Sequence, residues 1–178
     1  MSHAAEPLLE PLLDALRSEW QYLLIAAIEK IEHCLEQLNA EQICARPGPG
    51  LNSIANQLAH IAGNLRQWSV AGFDLEPDRR DRDREFADWE PSDLRRLNQE
   101  LIMALNEASQ VIARLTASQL LQTRTIQGFQ VTGLQALSHT VTHLVGHTHQ
   151  IVQLTRWHLG PGYRFGWSED GPRDNVPL

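Results

Sequence analysis

Apolar residues recur at intervals of three and four along four long stretches of the chain. In the first, Leu9, Leu13, Leu16, Trp20, Leu23, Ala27, Ile31, Cys34 and Leu38 share one face of a helix that the pattern ends near Asn39. The following AEQICARPGPG, rich in Pro and Gly, reads as a loop. A second helix starts at Asn52 or Ser53, both good N-caps. It carries a seam of Leu51, Ile54, Leu58, Ile61, Leu65 and Trp68, with Gly72 as its stop. A third follows Pro91-Ser92, with Leu94, Leu97, Leu101, Leu105, Ala108, Ile112 and Leu115 in register. The fourth begins near Thr132 and runs through Leu134, Leu137, Val141, Leu144, Thr148, Ile151 and Thr155 to Gly160.

Four amphipathic helices without a sustained alternating pattern predict an all-α four-helix bundle. TRTIQGFQVTG, just before the fourth helix, suits a short hairpin. Two irregular segments remain. Residues 74–91 mix eight acids with four arginines and read as a solvated loop, or as a lid. The tail at 160–178 has no helical period, and its Tyr163, Phe165 and Trp167 are expected to pin it to the bundle or to a second subunit. A length of 178 residues suits one domain over 1–178.

Charge and cysteines narrow the function classes. A formal net charge of −7 argues against a nucleic-acid partner, since nothing offsets phosphate repulsion. No apolar run reaches membrane-spanning length. The first residues lack the basic stretch of a signal peptide, and Cys34 and Cys44 form no CxxC pair. The expectation is a cytoplasmic protein with neither membrane nor nucleic-acid contacts.

The chemistry lies in histidines. His143 and His147 stand four apart, so on a helix they project from one side, with His139 a turn before them and Gln150 three residues after. On the second helix Gln57, His60 and Asn64 form a polar strip beside the apolar seam. Two such strips facing each other would bury imidazoles and amides, which must then be paired or ligated. Three neutral imidazoles with a vacant fourth position describe a catalytic type of zinc or nickel site. His60, His143 and His147 are therefore the expected metal ligands. Gln57 and Asn64 are expected to orient a metal-bound ligand, and His139 or Gln150 to hold a ligand histidine in its tautomer. No Glu-x-x-His, HExxH, GxSxG, P-loop or GxGxxG pattern is present, and no carboxylate stands beside the histidines on either helix.

With these residues in view, the chain resembles the DinB/YfiT-like superfamily of metalloenzymes. Within it, the chain more closely resembles a subfamily of unknown function with an HxxGN motif and an Arg/Asp-rich RDR-x-EF stretch. Here the first is His60-Ile61-Ala62-Gly63-Asn64; the second stands as Arg82-Asp83-Arg84-Glu85-Phe86, without a residue between Arg84 and Glu85; His143, His147 and Gln150 follow. The resemblance implies an up-down-down-up bundle, a zinc or nickel ion on the three histidines, and a homodimer. It also implies activity of the kind seen in thiol-dependent transferases, which take low-molecular-weight thiols and a small-molecule substrate. Many relatives have His-Arg-Gly-Gln at the last ligand, where this chain has His147-Thr148-His149-Gln150. Hydrolysis by a metal-bound hydroxide is a further enzymatic option. The competing expectation is a non-catalytic, metal-binding or stress-related dimeric bundle, supported by the lack of a nearby carboxylate. Trp89, Tyr163, Phe165 and Trp167 fall outside the seams, which marks the 74–91 loop or the tail as the dimer contact.

Overall fold

The computed structural model describes the backbone of residues 6–168 and 171–172, and the side chains of residues 8–166. It is mostly helical. The four seams become α1 (Glu6–Leu35), α3 (Ile54–Leu65), α5 (Leu94–Arg114) and α7 (Gly133–Leu159). α1 lies against α7 and α5, and α3 against α5 and α7, so the four seams face a shared core. Ile31, Leu58, Ile61, Leu97, Leu101, Leu137, Leu144 and Ile151 are its most enclosed members. The seams fade at their ends: Leu9, Leu51 and Leu134 are exposed. None of the described helices is long and apolar enough to cross a membrane.

Helix starts follow side-chain caps. Ser53 caps α3 and Thr132 caps α7, each in a reciprocal box with Asn56 or Gln135 that satisfies backbone N–H groups the helix leaves orphaned. The same device makes a helix where the sequence suggested only loop. Asn39 does not end α1, which stops at Leu35; it caps α2 (Ala40–Cys44) through Gln42, and Ile43 drops into the core.

The second long helix also ends differently. After Leu65 the backbone widens into a π turn at Arg66–Val70, tightens into a 3-10 turn at Ala71–Phe73, and stops at Asp74, whose φ is 60°. Gly72 is not the stop. It is small because a Cβ there would lie 2.6 Å from Ile126 Cδ1 of the hairpin.

That hairpin pairs β1 (Thr123–Ile126) with β2 (Phe129–Thr132). Its two-residue turn, Gln127 and Gly128, has positive φ at both positions, the geometry that matches strand twist. A short helix, α6 (Ala117–Leu121), precedes it. In the tail, β3 (Trp167–Ser168) pairs with β4 (Gly171–Pro172). Arg164 N–H donates to Gln37 Oε1 at 2.7 Å, and Tyr163 sets its ring edge against His33 of α1. Tyr163 therefore pins the tail to its own chain, while Phe165 is exposed; the Trp167 side chain lies outside the described residues.

Most of the 74–91 segment is exposed, as a solvated loop would be, but its buried Glu85 and Trp89 anchor it. It contains α4 (Arg82–Glu85), and it folds down onto α3. Asn56 Nδ2 donates to the carbonyls of Glu85 (2.9 Å) and Ala87 (2.8 Å), and Arg46 donates to Phe86 O at 2.7 Å. Trp89, expected at a contact surface, is buried in its own chain under the guanidinium groups of Arg84 and Arg96.

Candidate metal centre

α3 is enclosed on nearly every side: of its 12 residues, Gly63 alone is not buried. Its polar residues must therefore find partners inside the protein. Those of the strip Gln57, His60 and Asn64 look toward α7, where His139, His143 and His147 form the facing strip.

Three imidazoles meet between these helices. His60 Nε2 lies 3.1 Å from His143 Nε2, which lies 3.2 Å from His147 Nε2, and one nitrogen of each ring falls within 4.8 Å of the others. Tetrahedral ligands about 2.0–2.1 Å from a zinc ion stand about 3.3 Å apart. The two spacings through His143 are close to that value, and the three nitrogens form a group that could hold a metal ion.

The outward nitrogens decide what the inward ones offer. His60 Nδ1 lies 2.8 Å from Glu85 Oε2. Arg80 Nη2, which can only donate, stands 3.1 Å from the same nitrogen. The carboxylate contact is the shorter, and a carboxylate facing a lone pair at 2.8 Å would be repelled. The balance favours a proton on Nδ1, which leaves the Nε2 lone pair facing inward. His147 Nδ1 faces the Oε1 atoms of Gln57 (2.5 Å) and Gln150 (2.9 Å), which likewise leaves Nε2 unprotonated. His143 Nδ1 is buried with no partner. With two lone pairs aimed at one point and a third ring between them, the set is one that a cation can satisfy.

Electrostatics favour the neutral rings. Burial, then the proximity of His147, His60, His139 and Arg80, lowers His143 to about 3. Burial and then His60 lower His147 from its usual range, although Gln150 pulls the other way. Burial by itself pushes the Glu85 carboxyl up, but hydrogen bonds from Arg80 and His60 outweigh it and hold Glu85 below the usual carboxylate range.

Glu85 was hidden in the charge run. It is 5% exposed and also takes two hydrogen bonds from Arg80, Nε to Oε1 at 2.6 Å and Nη2 to Oε2 at 2.8 Å. Arg80 Nη1 in turn donates to Gln67 Oε1 at 2.8 Å, and Gln67 donates to Asp78 at 2.6 Å. The Gln127 amide from the hairpin turn reaches the same Gln67 oxygen. Gly63 makes room for this: a Cβ there would fall 2.0 Å from Glu85 Oε1 and 3.1 Å from Arg80 Nε. The glycine of HxxGN and the glutamate of RDR-x-EF are thus one contact. A cavity of about 430 Å³ is lined by Gly63, Arg80, Glu85 and Trp89 among others, and none of the three histidines lines it.

The remaining expected residues divide. Gln150 meets His147 Nδ1, as the spacing suggested, and Gln57 meets the same nitrogen. His139 touches no triad nitrogen. It stacks on Trp68, 4.1 Å between ring centroids, and meets Asn64 Nδ2 at 3.4 Å; burial and then Arg80 lower its pKa. The π turn at 66–70 sets both Trp68 and Gln67, and nothing in the apolar spacing announces it. His149 is exposed.

A family model described as "Protein of unknown function (DUF1572)" matches residues 12–164, most of the chain. The chain belongs to the DUF1572 family. Two solved structures share the fold of this DUF1572 protein. One is a conserved protein from Enterococcus faecalis, 19% identical, with a TM-score of 0.66 over 78% of this chain and 94% of that one. The other is a DinB-like protein from Bacillus cereus ATCC 10987, 16% identical, with a TM-score of 0.50 over 79% of this chain and 89% of that one. The expected DinB-like resemblance therefore holds at the level of the fold. No curated protein is significantly similar to this DUF1572 sequence.

Proposed function

We propose that this DUF1572 protein is a metal-dependent enzyme whose His60, His143 and His147 hold zinc or nickel, and that it acts as a thiol-dependent transferase. The observation that carries this is the convergence of three Nε2 atoms, two of them fixed as lone-pair donors by Glu85 and by Gln57 with Gln150. A divalent ion held by three imidazoles supplies an open position that lowers the pKa of a bound thiol or water. The chain's own part is to keep His143 and His147 neutral, orient the rings and shield them within the α3–α7 interface. The same reading takes residues 1–178 as one domain, an up-down-down-up bundle, working as a cytoplasmic homodimer. The two free cysteines, one buried, suit a reducing compartment.

One observation favours the second reading, a non-catalytic metal-binding bundle. Glu85, the carboxylate that touches the triad, is fully engaged by Arg80 and His60 and is not free to act as a base. Elemental analysis of protein purified without affinity resin or chelator should show about one zinc or nickel per chain. Metal-loaded protein should then consume an electrophile only when a small thiol is present. Metal without turnover across a panel of thiols and electrophiles supports the second reading; absence of metal uptake overturns both.

A further inference from the structure

We propose that Glu85 is a positioning residue: it fixes His60 as an Nε2 donor, and Arg80 locks Glu85 in place. The proposal deepens the metal reading above and rests on it for affinity alone; the tautomer of His60 can be read without any ion.

The geometry is specific to the fold of the 74–91 segment. The segment crosses α3 at Gly63, the one position on that helix where no side chain blocks it. It is nailed there by Asn56 and Arg46, which bind the carbonyls of residues 85–87. Glu85 then reaches past Gly63 to His60 Nδ1. Arg80, 4% exposed at its side chain, grips both carboxylate oxygens in a fork, so the carboxylate keeps one rotamer. Gln67, held by Asp78 and Gln127, steadies Arg80 from behind. His60 is the ligand with most to gain. It is the sole member of the triad on α3, whereas His143 and His147 share a helix and orient each other. An imidazole whose outer N–H is held by a carboxylate is both better oriented and more basic at the inner nitrogen.

Two measurements test this. Long-range 1H–15N spectra of the metal-free protein at alkaline pH should show His60 protonated at Nδ1. Arg80→Met/Glu85→Leu removes the buried pair without leaving either charge alone, a replacement cores often tolerate. In that variant His60 should lose its Nδ1–H preference, and Zn2+ affinity, measured by competition with a chromophoric chelator, should fall roughly 10–100-fold. Glu85→Gln keeps an acceptor and should restore the Nδ1–H form. A wild-type His60 protonated at Nε2 overturns the proposal without recourse to any variant. So does a folded double variant that retains the tautomer and binds Zn2+ within about threefold of wild type, or a Glu85→Gln protein in which the tautomer is not restored. If the wild type takes up no Zn2+, the metal reading falls, and the tautomer alone decides the role of Glu85.

Discussion

Gly63→Ala sets two effects of opposite sign against each other, and the structure says which wins. In a helix, alanine is favoured over glycine by about 0.5–1 kcal/mol. At Gly63 the new methyl would sit 2.0 Å from Glu85 Oε1 and 3.0 Å from its Cδ. The carboxylate must leave, and with it go the hydrogen bond to His60 and the fork from Arg80, whose guanidinium is then buried without its partner. Breaking a buried pair in this way costs about 3–5 kcal/mol. The net expectation is a loss of about 2–4 kcal/mol after the helical gain is subtracted. Gly146, on the exposed face of α7, is the internal control, because a Cβ there meets nothing within 4 Å. Gly146→Ala should gain the full helical increment, about 0.5–1 kcal/mol. Urea unfolding of the two metal-free variants beside wild type gives both numbers. If Gly63→Ala is as stable as wild type, Glu85 does not lie where the site needs it, and the account of His60 orientation falls with it.

Acid should weaken the metal-free fold from about pH 6.5 downward. His143 takes a proton in the unfolded chain near 6.5 but in the fold only near 3, so stability present above 6.5 is lost progressively as the pH falls. The slope is at most about 1.4 kcal/mol per pH unit, reduced by screening because the ring is only half-buried. Urea midpoints at several pH values check it, and a flat profile between roughly pH 6.5 and 5 would refute it. Zn2+ affinity should fall over the same range, since ligand histidines must be deprotonated. His143→Ala should abolish Zn2+ binding and leave a cooperative thermal transition, because the apolar seams carry the fold; a chain that unfolds outright would mark the site as structural. Sedimentation at low micromolar concentration should give a dimer, and a 20.1 kDa species throughout would exclude one.

What the sequence made legible was whatever depends on neighbours a few residues apart. The seams, the caps at Ser53 and Thr132, the hairpin around Gln127-Gly128 and the pairing of Gln150 with His147 all follow from local spacing. The meeting of His60 with His143 and His147 was legible too, because each sits on a polar strip beside an apolar seam and the seams must pack. Glu85 and Arg80 were not. A run of alternating charges has no period, and a separation of 25 positions between Glu85 and His60 leaves no local sign of contact. The available hints were indirect: Phe86 and Trp89 embedded in a charged stretch, and a glycine inside the best-packed helix. The capping box of α2 was also in plain view as Asn39 and Gln42, but the Pro and Gly that follow it drew the whole segment into a loop.

The positions of the three imidazoles along the chain also bear on how the protein is made. His60 and His143 are separated by 83 residues, and α5 and the hairpin lie between them. During synthesis His60 leaves the ribosome long before its partners exist, and no nascent fragment lacking α7 contains the site. Contacts of such separation form after local ones in folding. An ion therefore cannot nucleate this fold in the manner of a zinc finger. On the proposed reading it would enter a protein whose helices have already docked, and its release would return a folded chain that can be loaded again.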